Sequence, residues 1–287
     1  RAEHVTVAGE SVAVLEVAAQ AGEYGPPLLV VHGFPTSSVD FRPVVDRLSE
    51  RRRVVMLDLP GYGLSDKPDR AYSLFDQADV VVAVAAATGL DEIDLLTHDM
   101  GDSVGGEVLA RSMEGALDLR VRRRVLTNGS IYLGLAHLTP GQQFLRQLPD
   151  EALAEGGGPD AEALTDTLLD LCGPATRSDP AVRARLRAGA ELAVRDGGSR
   201  LLPRLVRYID ERAQHEDRWT GAVEAHPSPL TVVWGRHDPI AVAAMPERLA
   251  ERRPDATVVW LEAGHWPMLE LPGAFADAVL RGLDRAG

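Results

Sequence analysis

Leu95-Leu96-Thr97-His98-Asp99-Met100-Gly101-Asp102-Ser103 is the stretch from which the fold is read. It closes an apolar run and opens a segment rich in small residues, Gly101, Gly105 and Gly106. A strand that turns tightly into a helix exposes the residue at the bend, here Asp99, at the C-terminal edge of a sheet. Such a bend crowds its own backbone, so small neighbours are required. Thr97 stands where glycine is usual in this turn. An aspartate in front of a helix is also an ordinary N-cap, stabilising the first turn by about 1 kcal/mol. Its surroundings must decide.

Working outward, residues 3–18 alternate apolar and polar around Gly9, as a hairpin at a sheet edge does. Leu28 to Val31, Val54 to Leu57, Ile93 to Leu96 and Val125-Leu126 suit strands buried on both faces, and helical patterns separate them at 39–50, 73–88 and 102–113. Strands alternating with helices pack parallel. From Ile131 to about Val223 only helical stretches occur, near 140–148, 160–171, 180–195 and 200–217. They are broken at Gly156-Gly157-Gly158-Pro159, read as a mobile loop, and at Cys172-Gly173-Pro174. Alternation then resumes with Leu230 to Trp234, a helix over 243–252, Thr257 to Leu261 and a helix from about 273 to 284. The expectation is an α/β fold with a mostly parallel eight-stranded sheet flanked by helices. Residues 1–130 and 224–287 form its core, and 131–223 are an inserted helical domain.

Two further strand ends carry chemistry. Gly235-Arg236-His237-Asp238-Pro239 follows the strand ending at Trp234, and Glu262-Ala263-Gly264-His265-Trp266-Pro267 follows the one ending at Leu261. Both lie where open α/β sheets hold their ligands, past the C-terminal ends of parallel strands. Nucleophile Asp99, acid Asp238 and base His265 then occur in the chain order Asp, Asp, His, which resembles the order Ser, Asp or Glu, His of a known fold built on such a bend. His32-Gly33-Phe34-Pro35 follows the strand Leu28 to Val31. Gly33 permits an unusual backbone angle there, and the N–H groups of Phe34 and Met100 are placed to form an oxyanion hole.

Together, His32-Gly33-Phe34-Pro35, Asp58-Leu59-Pro60-Gly61-Tyr62-Gly63-Leu64-Ser65-Asp66-Lys67-Pro68, His98-Asp99-Met100-Gly101, Gly235-Arg236-His237-Asp238-Pro239 and Gly264-His265 resemble the epoxide hydrolase and haloalkane dehalogenase branch of the α/β-hydrolases. Their order and spacing run along nearly the whole chain. Within that branch the sequence looks most like the mesoderm-specific transcript type, through Phe34-Pro35-Thr36-Ser37-Ser38, Asp99-Met100-Gly101-Asp102, Thr127-Asn128-Gly129, Tyr208-Ile209-Asp210-Glu211-Arg212 and Arg218-Trp219. The resemblance implies the α/β-hydrolase fold with a helical cap and a two-step reaction. Asp99 attacks an electrophilic carbon to form an alkyl ester, and His265, oriented by Asp238, activates water to hydrolyse it. It implies no metal and no organic cofactor.

The choice of electrophile rests on help to the leaving group. An aspartate attacking an acyl group would give an anhydride, whereas attack at an alkyl carbon gives a hydrolysable ester, so epoxides and alkyl halides are the candidates. Dehalogenases of the branch place Trp after the nucleophile and often Asn after His-Gly; Met100 and Phe34 occupy those places, and a thioether donates no hydrogen bond. Epoxide opening calls for a cap acid, for which Tyr208, Tyr132 and Trp219 are the candidates, with His215 as a further donor. An epoxide hydrolase giving a vicinal diol is therefore expected, with haloalkane dehalogenase as the alternative. A fluoroacetate-type dehalogenase would carry Arg where Met100 stands. An esterase or lactonase would need Ser103 to act from inside the helix, and a non-catalytic relative would lack His265 and Asp238. The alternative place for the acid, Thr127 to Ser130, holds no carboxylate. Asp102 reads as a first-turn acid favouring the helix dipole, and close to Asp99 it would raise one of the two pKa values.

Composition narrows the partners. The 287 residues are 45% hydrophobic and 25% charged, enough for a full core. A net charge of -13 argues against nucleic acid, whose phosphates need clustered cations. The run Arg120 to Arg124 reads as a solvated strand entry, and His137 and His226 as surface residues. Cys172 is the one cysteine, which rules out an intrachain disulfide and fits a reducing compartment such as the cytoplasm. The longest apolar stretch, from Val80 to Ala87, is far shorter than the roughly 20 residues that span a bilayer, so no membrane partner is expected. No secretory segment is read at the start, which leaves open a leader before Arg1. The expected partner is a small-molecule substrate, and a homodimer is compatible with the sequence.

Overall fold

The computed structural model describes residues 2–154 and 156–284. Its strands are β1 (Ala2–Val7), β2 (Glu10–Val17), β3 (Leu28–Val31), β4 (Val54–Leu57), β5 (Glu92–His98), β6 (Arg120–Thr127), β7 (Leu230–Gly235) and β8 (Thr257–Leu261). Between them run α1 (Arg42–Leu48), α2 (Leu74–Ala87) and α3 (Met100–Met113). The stretch between β6 and β7 holds α4 (Pro140–Gln147), α5 (Ala161–Leu169), α6 (Pro180–Val194), α7 (Leu202–Leu205), α8 (Tyr208–Gln214) and α9 (Glu216–Ala225). Helices α10 (Ala244–Arg252), α11 (Pro267–Glu270) and α12 (Pro272–Leu283) complete the chain.

The strands form one sheet in the order β1-β2-β4-β3-β5-β6-β7-β8. β1 and β2 form the antiparallel hairpin at one edge, and β3 to β8 are parallel. This is the mostly parallel sheet expected from the alternation of apolar runs, and the α/β-hydrolase architecture that the resemblance implies. Every residue of β3 and β4 is buried, because helices cover both faces of the sheet. Truncating any one of these side chains to alanine would cost on the order of 2–5 kcal/mol. Register brings the functional segments level. Val31 pairs with Thr97 and His98 with Thr127, so the turns after β3, β5 and β6 leave the sheet at the same rim, and Gly235 pairs with Leu261 beside them.

Two expectations change here. The helical pattern near 200–217 is not one helix but a 3-10 stretch followed by α7, α8 and α9. Asp196 (φ 53°) and Gly197 (φ 77°) interrupt the 3-10 stretch, and Pro203 opens a new first turn. The run Arg120 to Arg124 is not solvated throughout, since β6 alternates and Arg124 is buried. Its guanidinium donates to the carbonyls of Val223 (3.0 Å), His226 (3.1 Å) and Ser228 (3.3 Å), closing the end of α9 onto the sheet. His226 is buried in that corner rather than exposed, and burial, followed by the charges of Arg124 and Arg253, pushes its imidazole down to about 4. No helix among the described residues is long and apolar enough to cross a membrane.

Candidate active site

Asp99 sits at the bend between β5 and α3 with φ 51° and ψ −119°, a backbone angle that non-glycine residues seldom adopt. The bend survives because its neighbours lack side chains. A Cβ on Gly33 would lie 2.5 Å from Asp99 Cβ and 2.8 Å from the His98 carbonyl oxygen, and one on Gly101 would lie 2.5 Å from the Val31 carbonyl oxygen. Gly33 is therefore needed for close approach; it is not among the glycines with positive φ, contrary to the expectation of an unusual angle.

The turn after β3 aims the Phe34 N–H at Asp99 Oδ2, 2.8 Å away. His32 anchors that turn. Its Nδ1 meets the Gly33 carbonyl at 2.9 Å, and its Nε2 accepts from the Leu59 N–H at 3.0 Å, which assigns the neutral tautomer. On the other side, His265 Nε2 faces Asp99 Oδ1 at 3.8 Å. His265 Nδ1 lies 2.7 Å from Asp238 Oδ2. Asp238 is fully engaged: Oδ1 accepts from the N–H groups of Ile240 (2.8 Å) and Ala241 (3.0 Å), and Oδ2 also from Asn128 Nδ2 at 2.7 Å. Asn128 in turn accepts the Gly235 N–H at 2.9 Å, tying β6 to β7. Sequence reasoning inspected this position for a carboxylate and overlooked the amide that orients one.

The histidine loop is held by two further groups. His98 Nε2 donates to the His265 carbonyl at 2.9 Å. Buried Glu270 accepts from the Gly264 N–H (2.9 Å), the Trp266 N–H (3.2 Å) and the Gly173 N–H (2.8 Å). Charges follow from this packing. Burial alone would lower His265, but the charge and hydrogen bond of Asp238, then the charge of Asp99, hold the imidazole up at about 9. Burial pushes Asp99 up, while the His265 charge and the N–H groups of Met100 and Phe34 pull it down; the net direction is up. The His265 charge and the N–H groups of Met100 and Phe34 thus favour the ionised form of Asp99 against its burial.

Asp102 is not a charged first-turn acid. It is buried behind the bend, takes the Thr97 hydroxyl on Oδ1 and leaves Oδ2 without a partner. Burial lifts its carboxyl to about 8, against the pull of Thr97 and Arg212. Between an unfolded value of about 3.9 and this value the native state binds the extra proton, so this acid makes stability fall as pH rises through that window. Asp102→Asn should remove that slope. Its stability relative to the parent is expected to improve by up to a few kcal/mol from pH 5 to pH 8.5, read by urea unfolding at both. A difference that stays constant or runs the other way would show the acid to be ionised.

A cavity of about 210 Å³ opens in front of Asp99 and His265. Phe34, Ile240 and Trp266 line it from the core, and Gln142, Leu145, Leu164, Leu168 and Leu202 from the helical insertion; no Lys or Arg is among its described lining residues. Among the described residues no group of three or more His, Cys, Asp or Glu could hold a metal ion. The aromatic donors expected of the insertion separate. Tyr208 packs on Phe34, with ring centroids 5.7 Å apart. Burial and then the charge of Asp99 raise its phenol well above the ordinary value, so it stays protonated. Tyr132 is turned away: its hydroxyl donates to Glu224 at 2.8 Å. Trp219 Nε1 donates to buried Glu107 at 2.8 Å, and Arg218 meets the same carboxylate at 2.7 Å. His215 packs on Phe75 and Trp219. Trp219 and Arg218 clamp α9 to α3. Ser103 is buried within α3 and accepts from Arg212, so it does not face the cavity.

Tyr62, which the sequence offers only within the stretch Asp58 to Pro68 that carries the resemblance, places its hydroxyl 3.3 Å from Met100 Sδ, and burial and then the charge of Asp99 raise its phenol. Its position just past Gly61, a glycine with φ 92° in a turn, is the one sequence signal that it leaves the strand rim.

The model for the alpha/beta hydrolase fold matches residues 26–272. The hydrolase LipZ of Mycobacterium tuberculosis is 41% identical over 261 residues, covering 89% of this chain and 87% of that protein. The human mesoderm-specific transcript homolog protein is 33% identical over 280 residues, covering 90% of this chain and 79% of its own. Among solved structures, a hydrolase from Pseudomonas aeruginosa PA01 superposes with a TM-score of 0.76 at 25% identity, covering 99% of this chain and 98% of the other.

Proposed function

This chain belongs to the alpha/beta hydrolase fold family, and on that premise we propose that it is an epoxide hydrolase working through an aspartyl ester. The observation that carries this reading is the carboxylate at the bend, with one oxygen on the Phe34 N–H at 2.8 Å and the other facing a histidine whose far nitrogen is bound to Asp238. Oδ1 of Asp99 attacks the epoxide carbon, and the ring C–O bond breaks. The departing oxygen takes the Tyr208 proton, supplied by a phenol that burial keeps protonated. Asp99 Oδ2 becomes the ester carbonyl oxygen and already accepts the Phe34 N–H, and the Met100 N–H also favours negative charge on this group. His265 then takes a proton from water, the hydroxide adds to the ester carbonyl, and those two N–H groups hold the oxyanion. The alkoxide leaves with the imidazolium proton, giving a vicinal diol, and the proton of the regenerated Asp99 acid returns to the tyrosinate.

The apolar cavity wall, with no cation to clamp an acid group, favours an uncharged substrate. Residues 131–223 act in this reading as a cap that closes over the reacting carbon. A panel of aryl and aliphatic epoxides beside bromoalkanes, scored for diol, alcohol and bromide, tests it. Diol formation is expected; bromide release without diol would move the assignment to a haloalkane dehalogenase. Tyr208→Phe is expected to slow diol formation about 100-fold while changing any bromide release less than about three-fold. Equal losses on both would remove Tyr208 as the acid.

A further inference from the structure

The cavity in front of Asp99 has a direction, and α5 sets it. Leu164, Leu168 and Leu171 all line it, and their spacing of four and then three positions puts them in one stripe along α5 and the turn that ends it. One end of the stripe is fixed at the reacting groups, because the Leu171 carbonyl accepts the His265 N–H at 2.9 Å. The other end leads away from them, toward Gly157 and Pro159, which precede α5 and also belong to the lining. Phe144 of α4 lines the cavity while remaining 60% exposed, so it marks the opening to solvent. Polar groups of the lining are mostly committed within their own helices. Thr139 Oγ1 accepts the Gln142 N–H at 3.0 Å, Gln142 Oε1 accepts the Thr139 N–H at 2.9 Å, and the Thr167 hydroxyl donates to the Ala163 carbonyl at 3.0 Å. An incoming group therefore meets mainly aliphatic surface between the opening and the histidine.

We propose that the substrate is a terminal epoxide carrying one unbranched alkyl chain, which lies along the stripe from Leu171 to Leu164 and ends near Phe144. The inference rests on the epoxide reading and adds the shape of the substrate to it. Leu164 and Leu171 are seven positions apart, which at 1.5 Å of rise per residue is about 10 Å. An extended alkyl chain, with bonds of about 1.5 Å and angles near 111°, advances about 1.25 Å per carbon, so the stripe accommodates about eight carbons beyond the ring. A stripe one side chain wide makes a trough, which suits a single chain better than two arms. Each methylene laid in it leaves water for aliphatic surface, and binding should tighten by a constant factor per carbon until the trough is full.

The test measures kcat/KM on the full chain for 1,2-epoxyalkanes from butane to tetradecane, below their solubility limits, and Kd for the matching 1,2-alkanediols by calorimetry. The expected rise in kcat/KM is about two- to four-fold per methylene up to about ten carbons in all, and little beyond; the diol Kd should fall in the same steps. trans-5,6-Epoxydecane divides the same carbons between two arms and is expected at least about ten-fold below 1,2-epoxydecane, which separates fit along a trough from general attraction for apolar solutes. Leu164→Gln, at the far end of the stripe, should lower the decane-to-butane ratio of kcat/KM at least about ten-fold, and Phe144→Ser, at an exposed position, should lower the decane-to-hexane ratio about three-fold. A flat ladder, equal rates on the two decane epoxides, or unchanged ratios in both variants overturns this inference and leaves the epoxide reading standing. Diol affinities that climb while no epoxide is turned over bring down the epoxide reading, and the substrate named here with it.

Discussion

An Asp99→Asn variant is expected to fold normally and to form diol at least about 10⁴-fold more slowly than the parent. Asparagine tolerates positive φ as well as aspartate does, so the bend at φ 51° is preserved. Its side-chain oxygen can still accept the Phe34 N–H, which Asp99 Oδ2 takes at 2.8 Å. What disappears is the anionic oxygen facing His265, and a neutral amide does not displace an alkoxide from carbon. The measurement is diol per chain by quenched assay, with urea unfolding to show that the fold stands. Retention of more than about a tenth of the activity would mean that the attacking group lies elsewhere in the cavity.

The second large effect is expected from His265→Gln, which should react once and stop. One equivalent of epoxide adds to each chain, the intact mass rises by the mass of the substrate, and turnover falls by about 10⁴-fold. Electrostatics explain why the histidine becomes indispensable only at the second step. In the resting site Asp238 and Asp99 hold the imidazole at about 9, so at neutral pH it is a cation that favours the ionised nucleophile. Ester formation neutralises Asp99 and removes one of the charges that raised the imidazole. Its pKa then falls, the imidazolium releases its proton to solvent, and the neutral Nε2 can take one from the attacking water. In the parent, ester hydrolysis should therefore rise with pH through this lowered value. Diol formation at more than about a tenth of the parental rate by His265→Gln, or substrate consumption with no adduct, would count against the covalent route.

Most of the rim was legible because each of its parts is local. A buried strand followed by a turn places its next residues at the C-terminal edge whatever the helices do, so Phe34, Asp99, Asp238 and His265 could be located from apolar runs and the residues after them. The insertion was not legible in the same way. Tyr132, Tyr208 and Trp219 are all aromatic residues of one segment, and nothing in the order of residues says that Tyr132 reaches Glu224, that Trp219 reaches Glu107, or that Tyr208 lies on Phe34. Gln142 carried a local signal, since Thr139 and Gln142 have the spacing of a reciprocal helix cap, but the signal speaks of a helix start and not of a cavity. The hold of Asn128 on Asp238 was not legible because the two residues are 110 positions apart.

By itself the sequence determined the sheet, the order of its strands' chemistry and the acid, carboxylate and imidazole that meet at the rim, since periodicity and turn residues act over a few positions. Only the tertiary structure decided which side chains of the insertion face the cavity and which clamp helices together. It also set the direction of protonation: burial favours the proton on Asp102, and the carboxylates of Asp238 and Asp99 favour one on His265 against its burial. Burial and distance between charges belong to the packed molecule, and no run of residues encodes them locally.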